Sequence, residues 1–132
     1  MEKCLFCKWK NENERKILEN NLAFACYDEI AVNPGHMLFM TKRHVETFFD
    51  TTLEERIAIF ELIDKAKILI DEKYHPDGYN IGMNCKEAGG QSVMHIHVHL
   101  IPRYFGDVPN PRGGIRGVIP SKQNYDKKPD LG

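Results

Sequence analysis

Two hydrophobic periods run along this chain. Lys16 to Glu19 and Leu22 to Tyr27 alternate with the two-residue step of a strand, and Asn20-Asn21 between them reads as a hairpin turn. Pro34-Gly35 breaks the chain, and His36 to Thr41 reads as a third strand. Tyr79 to Met83 and Met94 to Pro102 complete five, joined by a loop over Asn84 to Val93. Before them the period lengthens to that of a helix. Thr52 opens a capping box with Glu55, and apolar residues follow at Leu53, Ile57, Phe60, Ile63 and Ile70 until His75-Pro76 ends the run. Ile59, Leu62, Ala66 and Leu69 widen that stripe, as expected of a helix that also packs against a second surface or of a simply wide core face. Residues 1–10 form a cysteine-containing hook and 11–15 a charged turn. From about residue 103 Pro, Gly and charge dominate, which predicts an irregular tail that frays after Tyr125. The pattern predicts an α+β fold: a roughly five-stranded, mainly antiparallel sheet with one long helix packed on it, in one domain over 1–132.

Composition narrows the function classes. With 42% hydrophobic and 28% charged residues the chain has globular values. A net charge of -1 argues against a nucleic-acid or membrane-surface binder, so an anionic ligand must be held by local donors. Met1 to Phe6 shows no signal-peptide pattern, and no apolar run is long enough to span a bilayer. A cytoplasmic setting is the expectation, with the four cysteines as reduced thiols.

The chemistry concentrates in His95, His97 and His99. Their two-residue spacing puts three imidazoles on one face of a strand, with Ile96, Val98 and Leu100 on the other, toward a core. Imidazole is poor core filler, so such a row points to catalysis or metal. Cys4 and Cys7 form a second motif that fits a redox pair, half a zinc site or two free thiols. No βαβ unit is present to support a thioredoxin-like role, and a structural zinc would need two more ligands among six histidines, which spacing does not select.

The run His95-Ile-His-Val-His-Leu-Ile101, preceded by Gly89-Gly-Gln-Ser-Val93, resembles the signature of the histidine triad family of nucleotide hydrolases and transferases. Asn33-Pro-Gly-His-Met-Leu38 and Lys42-Arg-His-Val-Glu46 extend the resemblance, which spans about Cys4 to Arg103. It implies that His97 is a nucleophile toward the α-phosphorus of an adenine nucleotide or dinucleotide such as a diadenosine polyphosphate. By the same resemblance His99 contacts phosphate and protonates the leaving group, ideally with His97 neutral and His99 charged. His36 supports the triad, and Gly90, Gln91, Ser92 and Val93, with Asn84, line the phosphate and sugar site. Asp28 takes the ribose hydroxyls, and Leu5, Phe6, Trp9 and the strand near Cys26 form the base pocket.

Glu29, Tyr27 and Cys26 depart from the commoner family pattern, which leaves the base preference open. The resemblance also implies a structural zinc on Cys4, Cys7, His44 and His95, no metal in the chemistry itself, and a homodimer. The segment Arg103 to Arg116 resembles the dinucleoside polyphosphate hydrolase side of the family. There Arg112, Arg116 and Lys122 would neutralise distal phosphates, unless they are only a solvated tail. Other readings stand beside this one: a phosphoramidate hydrolase, a slow-turnover nucleotide-binding regulator, and a hydrolase whose three histidines hold a catalytic zinc.

Overall fold

The computed structural model describes residues 3–125. Its helices and strands run in the order α1 (Leu5–Trp9), β1 (Lys16–Glu19), β2 (Ala23–Tyr27), β3 (Met37–Thr41), α2 (Leu53–Tyr74), β4 (Gly78–Gly82) and β5 (His97–Arg103). The five strands form one sheet in the order β1-β2-β3-β5-β4, with every neighbouring pair antiparallel. The expected fold class is the observed one, and strands 1 to 4 fall within a residue of their expected bounds.

Alternation along the central strands builds two faces. Ala23, Ala25, Met37, Phe39, Val98 and Leu100 point to one side and pack with Ile59, Leu62, Ala66 and Ile70 of α2. Phe24, Cys26, Leu38 and Met40 point to the other side, where Phe6 and Trp9 of α1 cover them. His97 and His99 alternate with Val98, so they share the α1 face, and the register sets them opposite Met40 and Leu38. The long helix therefore supports the sheet from behind, while the five-residue helix roofs the face that carries the imidazoles.

Three features differ from the sequence reading. The fifth strand begins at His97 rather than Met94. Residues 94–96 form a lead-in whose Ile96 N–H donates to Val45 O at 2.9 Å, because β3 has already ended at Thr41 and offers no further partner. His95 thus lies outside the ladder. The hook is helical, with the Cys4 sulfur capping it by accepting from the Cys7 N–H at 3.4 Å. The buried face of α2 is the set Ala58, Ile59, Leu62, Ile63, Ala66 and Ile70, whereas Leu53, Ile57, Phe60 and Leu69 are exposed. Leu53, Ile57 and Phe60 of the first stripe traced along the sequence lie on the solvent face and only Ile63 and Ile70 on the buried one, because apolar residues occur on two sides of this helix and the sheet chooses between them.

Local signals hold where they are local. Thr52 Oγ1 accepts from the Glu55 N–H and Glu55 Oε1 accepts from the Thr52 N–H, the reciprocal box that starts α2. Glu55 is buried and also receives a fork from Arg43, Nη2 to Oε1 at 2.8 Å and Nε to Oε2 at 3.1 Å. That pair locks the segment after β3 onto the helix start. Gly35 sits at φ +91°, where an added Cβ would lie 3.0 Å from Tyr74 and 3.2 Å from Pro102, so both the backbone and the space demand glycine. Beyond Arg103 the chain is irregular but ordered, with 3-10 turns at Gly114–Val118 and Pro120–Lys122. The expected fraying after Tyr125 lies outside the described residues. Among the described residues no helix is long and apolar enough to cross a membrane.

The helix assignment is testable by substitution. Leu62→Ala removes a fully buried side chain and is expected to lower the unfolding free energy by about 2–5 kcal/mol. Ile68→Ala, at a side chain that is 63% exposed, should lower it by less than about 1 kcal/mol in urea titrations. Equal losses would contradict the assigned face.

Candidate active site

Two clusters meet at the start of β5. The first joins α1, the segment after β3 and the lead-in to β5. Cys4 Sγ lies 3.3 Å from His95 Nδ1, and Cys7 Sγ lies 3.2 Å from His44 Nδ1 and 3.6 Å from His95 Nδ1. All four donor atoms fall within 4.8 Å of one another. A tetrahedral zinc with ordinary bond lengths separates sulfur from nitrogen by about 3.5 Å, so the spacing fits that ion. The ring orientation fits too. His95 Nε2 donates to Thr41 O at 2.7 Å, which leaves the Nδ1 lone pair directed at the sulfurs. Burial first, then the neighbouring Cys4, raises the Cys7 thiol above its ordinary value, and a cation would reverse that preference by favouring thiolate. The Arg43 fork on Glu55 positions the stretch that carries His44.

The second cluster is a chain of imidazoles whose tautomers follow from their partners. His97 Nδ1 lies 2.8 Å from His95 O, a pure acceptor, so Nδ1 carries the proton and Nε2 presents a lone pair. His36 Nδ1 accepts from the Val32 N–H at 3.1 Å, so its Nε2 is the protonated nitrogen. That Nε2–H donates to His99 Nδ1 at 3.0 Å, which leaves His99 with its proton on Nε2. The two triad rings, with centroids 5.2 Å apart, therefore present opposite functions: one Nε2 is a base or nucleophile and the other is a donor.

Burial keeps this chain of rings uncharged at neutral pH. It lowers His97 below the ordinary histidine value, and it lowers His99 to about 4, with His97 and His36 adding repulsion. His36 is also lowered by burial, opposed by Asp28, whose Oδ2 is 3.5 Å from its Nε2. The charged His99 expected from the sequence is thus not the resting state. The three triad rings do not converge on one point, since His95 Nδ1 faces sulfur, His97 Nδ1 a carbonyl and His99 Nδ1 another imidazole. Asp28, His36 and His99 also bring donor atoms within 4.8 Å, but there His36 Nε2 and His99 Nδ1 are hydrogen-bonded to each other.

A cavity of about 300 Å³ opens over His97 and His99. Of the residues expected to bind nucleotide, Leu5, Phe6, Trp9, Asp28, Asn84, Ser92 and Val93 line it beside the two imidazoles. His36, expected to support the triad, stands behind His99, buried and hydrogen-bonded to it. Two residues expected to bind nucleotide, Gly90 and Gln91, are not on the lining. Gly90, at φ +93°, turns the loop. Gln91 is buried, and its amide braces the loop by donating to Glu46 O and Val93 O and accepting from the Lys86 N–H. Its side chain therefore has no donor left for a phosphate, and Gln91 is corrected from a phosphate contact to a positioning residue. Cys26 is buried beneath the roof rather than on the cavity.

Leu38 and Ile30 line the cavity without having been foreseen, and for Leu38 the signal was its register opposite His99. The tail cations do not reach it. Arg112 and Arg116 both lie over the Tyr125 ring, at 5.1 and 4.8 Å, and Lys122 is absent from the lining. A larger hollow of about 630 Å³ beside β4 is bounded by Tyr79, Phe105 and the Arg103–Asp107 pair and holds none of the triad.

A five-stranded antiparallel sheet with one long helix behind it and spaced imidazoles on its other face is the architecture of a histidine triad protein. The sequence matches the HIT domain family over residues 10–106, and the chain belongs to that family. The protein named "Protein hit" of Bacillus subtilis is 35% identical over 105 residues, covering 78% of this chain and 72% of that one. The bis(5'-adenosyl)-triphosphatase of Dictyostelium discoideum is 30% identical over 105 residues, 80% of this chain and 70% of that one. The crystal structure of a zinc-bound histidine triad family protein from Mycobacterium smegmatis superposes with a TM-score of 0.74 at 28% identity, covering 83% of this chain and 81% of that one.

Two measurements check this geometry. Elemental analysis should find one zinc per chain, lost in Cys7→Ser, and chelation should lower the unfolding free energy by about 3 kcal/mol or more, because the ion's binding energy is linked to folding. Separately, His99 titrates at about 4 when folded against 6.5 when exposed, so between those values the unfolded chain binds more protons. Stability should be full above pH 6.5 and decline as pH falls through 4. In His99→Gln, urea midpoints should decline less steeply over that window.

Proposed function

We propose that the protein is a hydrolase of nucleoside phosphoric anhydrides or phosphoramidates that acts at the α-phosphate through a nucleotidyl group carried on His97. The observation that carries this reading is the pair of opposite tautomers: His97 Nε2 is a free lone pair and His99 Nε2 a proton donor, on one wall of one cavity. An imidazole whose second nitrogen is hydrogen-bonded to a carbonyl attacks phosphorus without first losing a proton.

The steps balance. The negative phosphates of an arriving substrate raise the proton affinity of His99, which takes up one proton from solvent at Nδ1 as the Nε2–H of His36 turns from it to Asp28 Oδ2, 3.5 Å away. His97 Nε2 bonds to the α-phosphorus as the bond to the leaving group breaks, and the imidazolium of His99 transfers its Nε2 proton to that group. Water then attacks the phosphorus, its proton returns to His99, and the nucleoside monophosphate leaves with His97 restored. His36 acts as a positioning residue that fixes the His99 tautomer. Ser92 and Asn84 face the phosphates, Asp28 accepts from the ribose hydroxyls, and Leu5, Phe6 and Trp9 shelter the base.

A diadenosine polyphosphate is the first substrate to test, supported by the name of the Dictyostelium relative, and an adenosine phosphoramidate is the second. Zinc in this reading is structural: it would be held by Cys4, Cys7, His44 and His95, tying the roof of the cavity to the catalytic strand and taking no part in the reaction. The exposed Leu53, Ile57 and Phe60 on α2 support self-association as a homodimer. The ligand is a small molecule, with no role assigned to nucleic acid or membrane, in a reducing compartment such as the cytoplasm.

Rapid quench with diadenosine triphosphate followed by peptide mass spectrometry should place one adenylyl group on His97. His97→Ala should lose the label and about 1,000-fold or more in turnover, and His99→Ala about 100-fold or more. A label on His99 would reverse the roles. A label on His97 without multiple turnovers would make the protein a nucleotide-binding regulator instead.

A further inference from the structure

The apolar end of the cavity carries one charged side chain, and it is fixed there. Glu29 lines the cavity next to Trp9 and Ile30, and its Oε1 accepts from Arg15 Nη1. Arg15 is not itself on the lining. It stands behind Glu29, donates through Nε to Glu12 Oε1 at 3.1 Å, and holds its guanidinium 4.6 Å from the centroid of the Trp9 ring. Trp9 in turn packs edge-on against Phe6 at 5.1 Å. A stacked and forked guanidinium loses little freedom, so the carboxylate it grips is preorganised at the cavity mouth.

The charge balance there is negative. Glu12 and Glu29 share the single guanidinium, and Glu12 Oε2 is buried with no partner among the described residues. Glu29 Oε2 also makes no hydrogen bond among the described residues, and the side chain is 56% exposed, open to a ligand. The backbone sets its direction. Asp28 Oδ1 accepts from the Ile30 N–H at 2.9 Å, closing a turn that presents Asp28 and Glu29 side by side on the cavity. One residue advances the chain by about 3.8 Å, so the group after the ribose carboxylate stands where the base follows the sugar.

A carboxylate only accepts, and two N–H donors side by side are its best complement. Guanine presents N1–H and the N2 amino group on adjacent atoms. Adenine presents its amino group between the N1 and N7 acceptors, which a carboxylate repels. We propose that Glu29 is a specificity-determining residue that reads the N1–H and N2 amino edge of a purine, so that this site prefers guanine to adenine nucleotides. The inference rests on the reading of the cavity as a nucleotide site and names the base that it favours.

Titration calorimetry on the zinc-loaded full chain tests it with GMP, IMP, AMP and ribose 5-phosphate, the last serving as a reference without a base. GMP should bind about 10-fold tighter than AMP, the scale of one hydrogen bond to a charged group, with IMP between them because it keeps N1–H and lacks the amino group. In Glu29→Ala the GMP to AMP ratio should fall to within about twofold of one, and Arg15→Ala, which releases the carboxylate without removing it, should give an intermediate ratio. AMP binding as tightly as GMP in the wild type, or an undiminished preference in Glu29→Ala, overturns the inference while leaving the nucleotide site in place. Failure of ribose 5-phosphate and all three nucleotides to bind overturns both readings together.

Discussion

The structure depends on His95 being held at three points at once. Its Nδ1 faces Cys4 and Cys7, its Nε2 donates to Thr41 at the end of β3, and its carbonyl accepts the Nδ1 proton of His97. The first contact ties the roof to the sheet, the second fixes the ring, and the third decides which nitrogen of the next histidine is a lone pair. A residue with no reactive role in the proposed chemistry therefore sets the chemistry of its neighbour. This is the general pattern of a site whose reacting groups are positioned by partners that do not react.

The sheet turns this local arrangement into a pocket. Because side chains alternate along β5, Val98 and Leu100 enter the core under α2 while His97 and His99 face the opposite side. That side would be open to water without α1, whose Phe6 stands with its ring 4.8 Å from that of His97. The helix is only five residues long, too short to be stable alone, so its position relies on the cysteine that caps it and the sulfur that follows. Exclusion of water by Phe6 and Trp9 is in turn what lowers the imidazoles' proton affinity and keeps His97 neutral, as the proposed chemistry needs.

Legibility followed range. The Thr52–Glu55 box, the Asn20-Asn21 turn and the alternation of β1 to β3 are decided by neighbours within a few residues, and the sequence displays them. The face of α2 is decided by the sheet, so a helix with Leu53, Ile57 and Phe60 on one side and Ile59, Leu62 and Ala66 on another gave a first stripe of which only Ile63 and Ile70 proved buried. Gln91 looked like a phosphate donor because its partner Glu46 is 45 residues away and carries no sequence mark. The tail arginines looked free for phosphates because nothing in their spacing shows that both lie over Tyr125.

By itself, the sequence determined the strand set, the ends of α2, the imidazole row and, with the family resemblance, the four cysteine and histidine residues that gather in one cluster. These follow from periodicity, steric turn rules and residue chemistry, which act along the chain. Only the tertiary structure decided which imidazole nitrogen bears a proton, which carboxylates line the cavity and which loop residues brace it from behind. Each of those is fixed by hydrogen bonds and burial between segments far apart in sequence, and such contacts exist only once the sheet has brought the segments together.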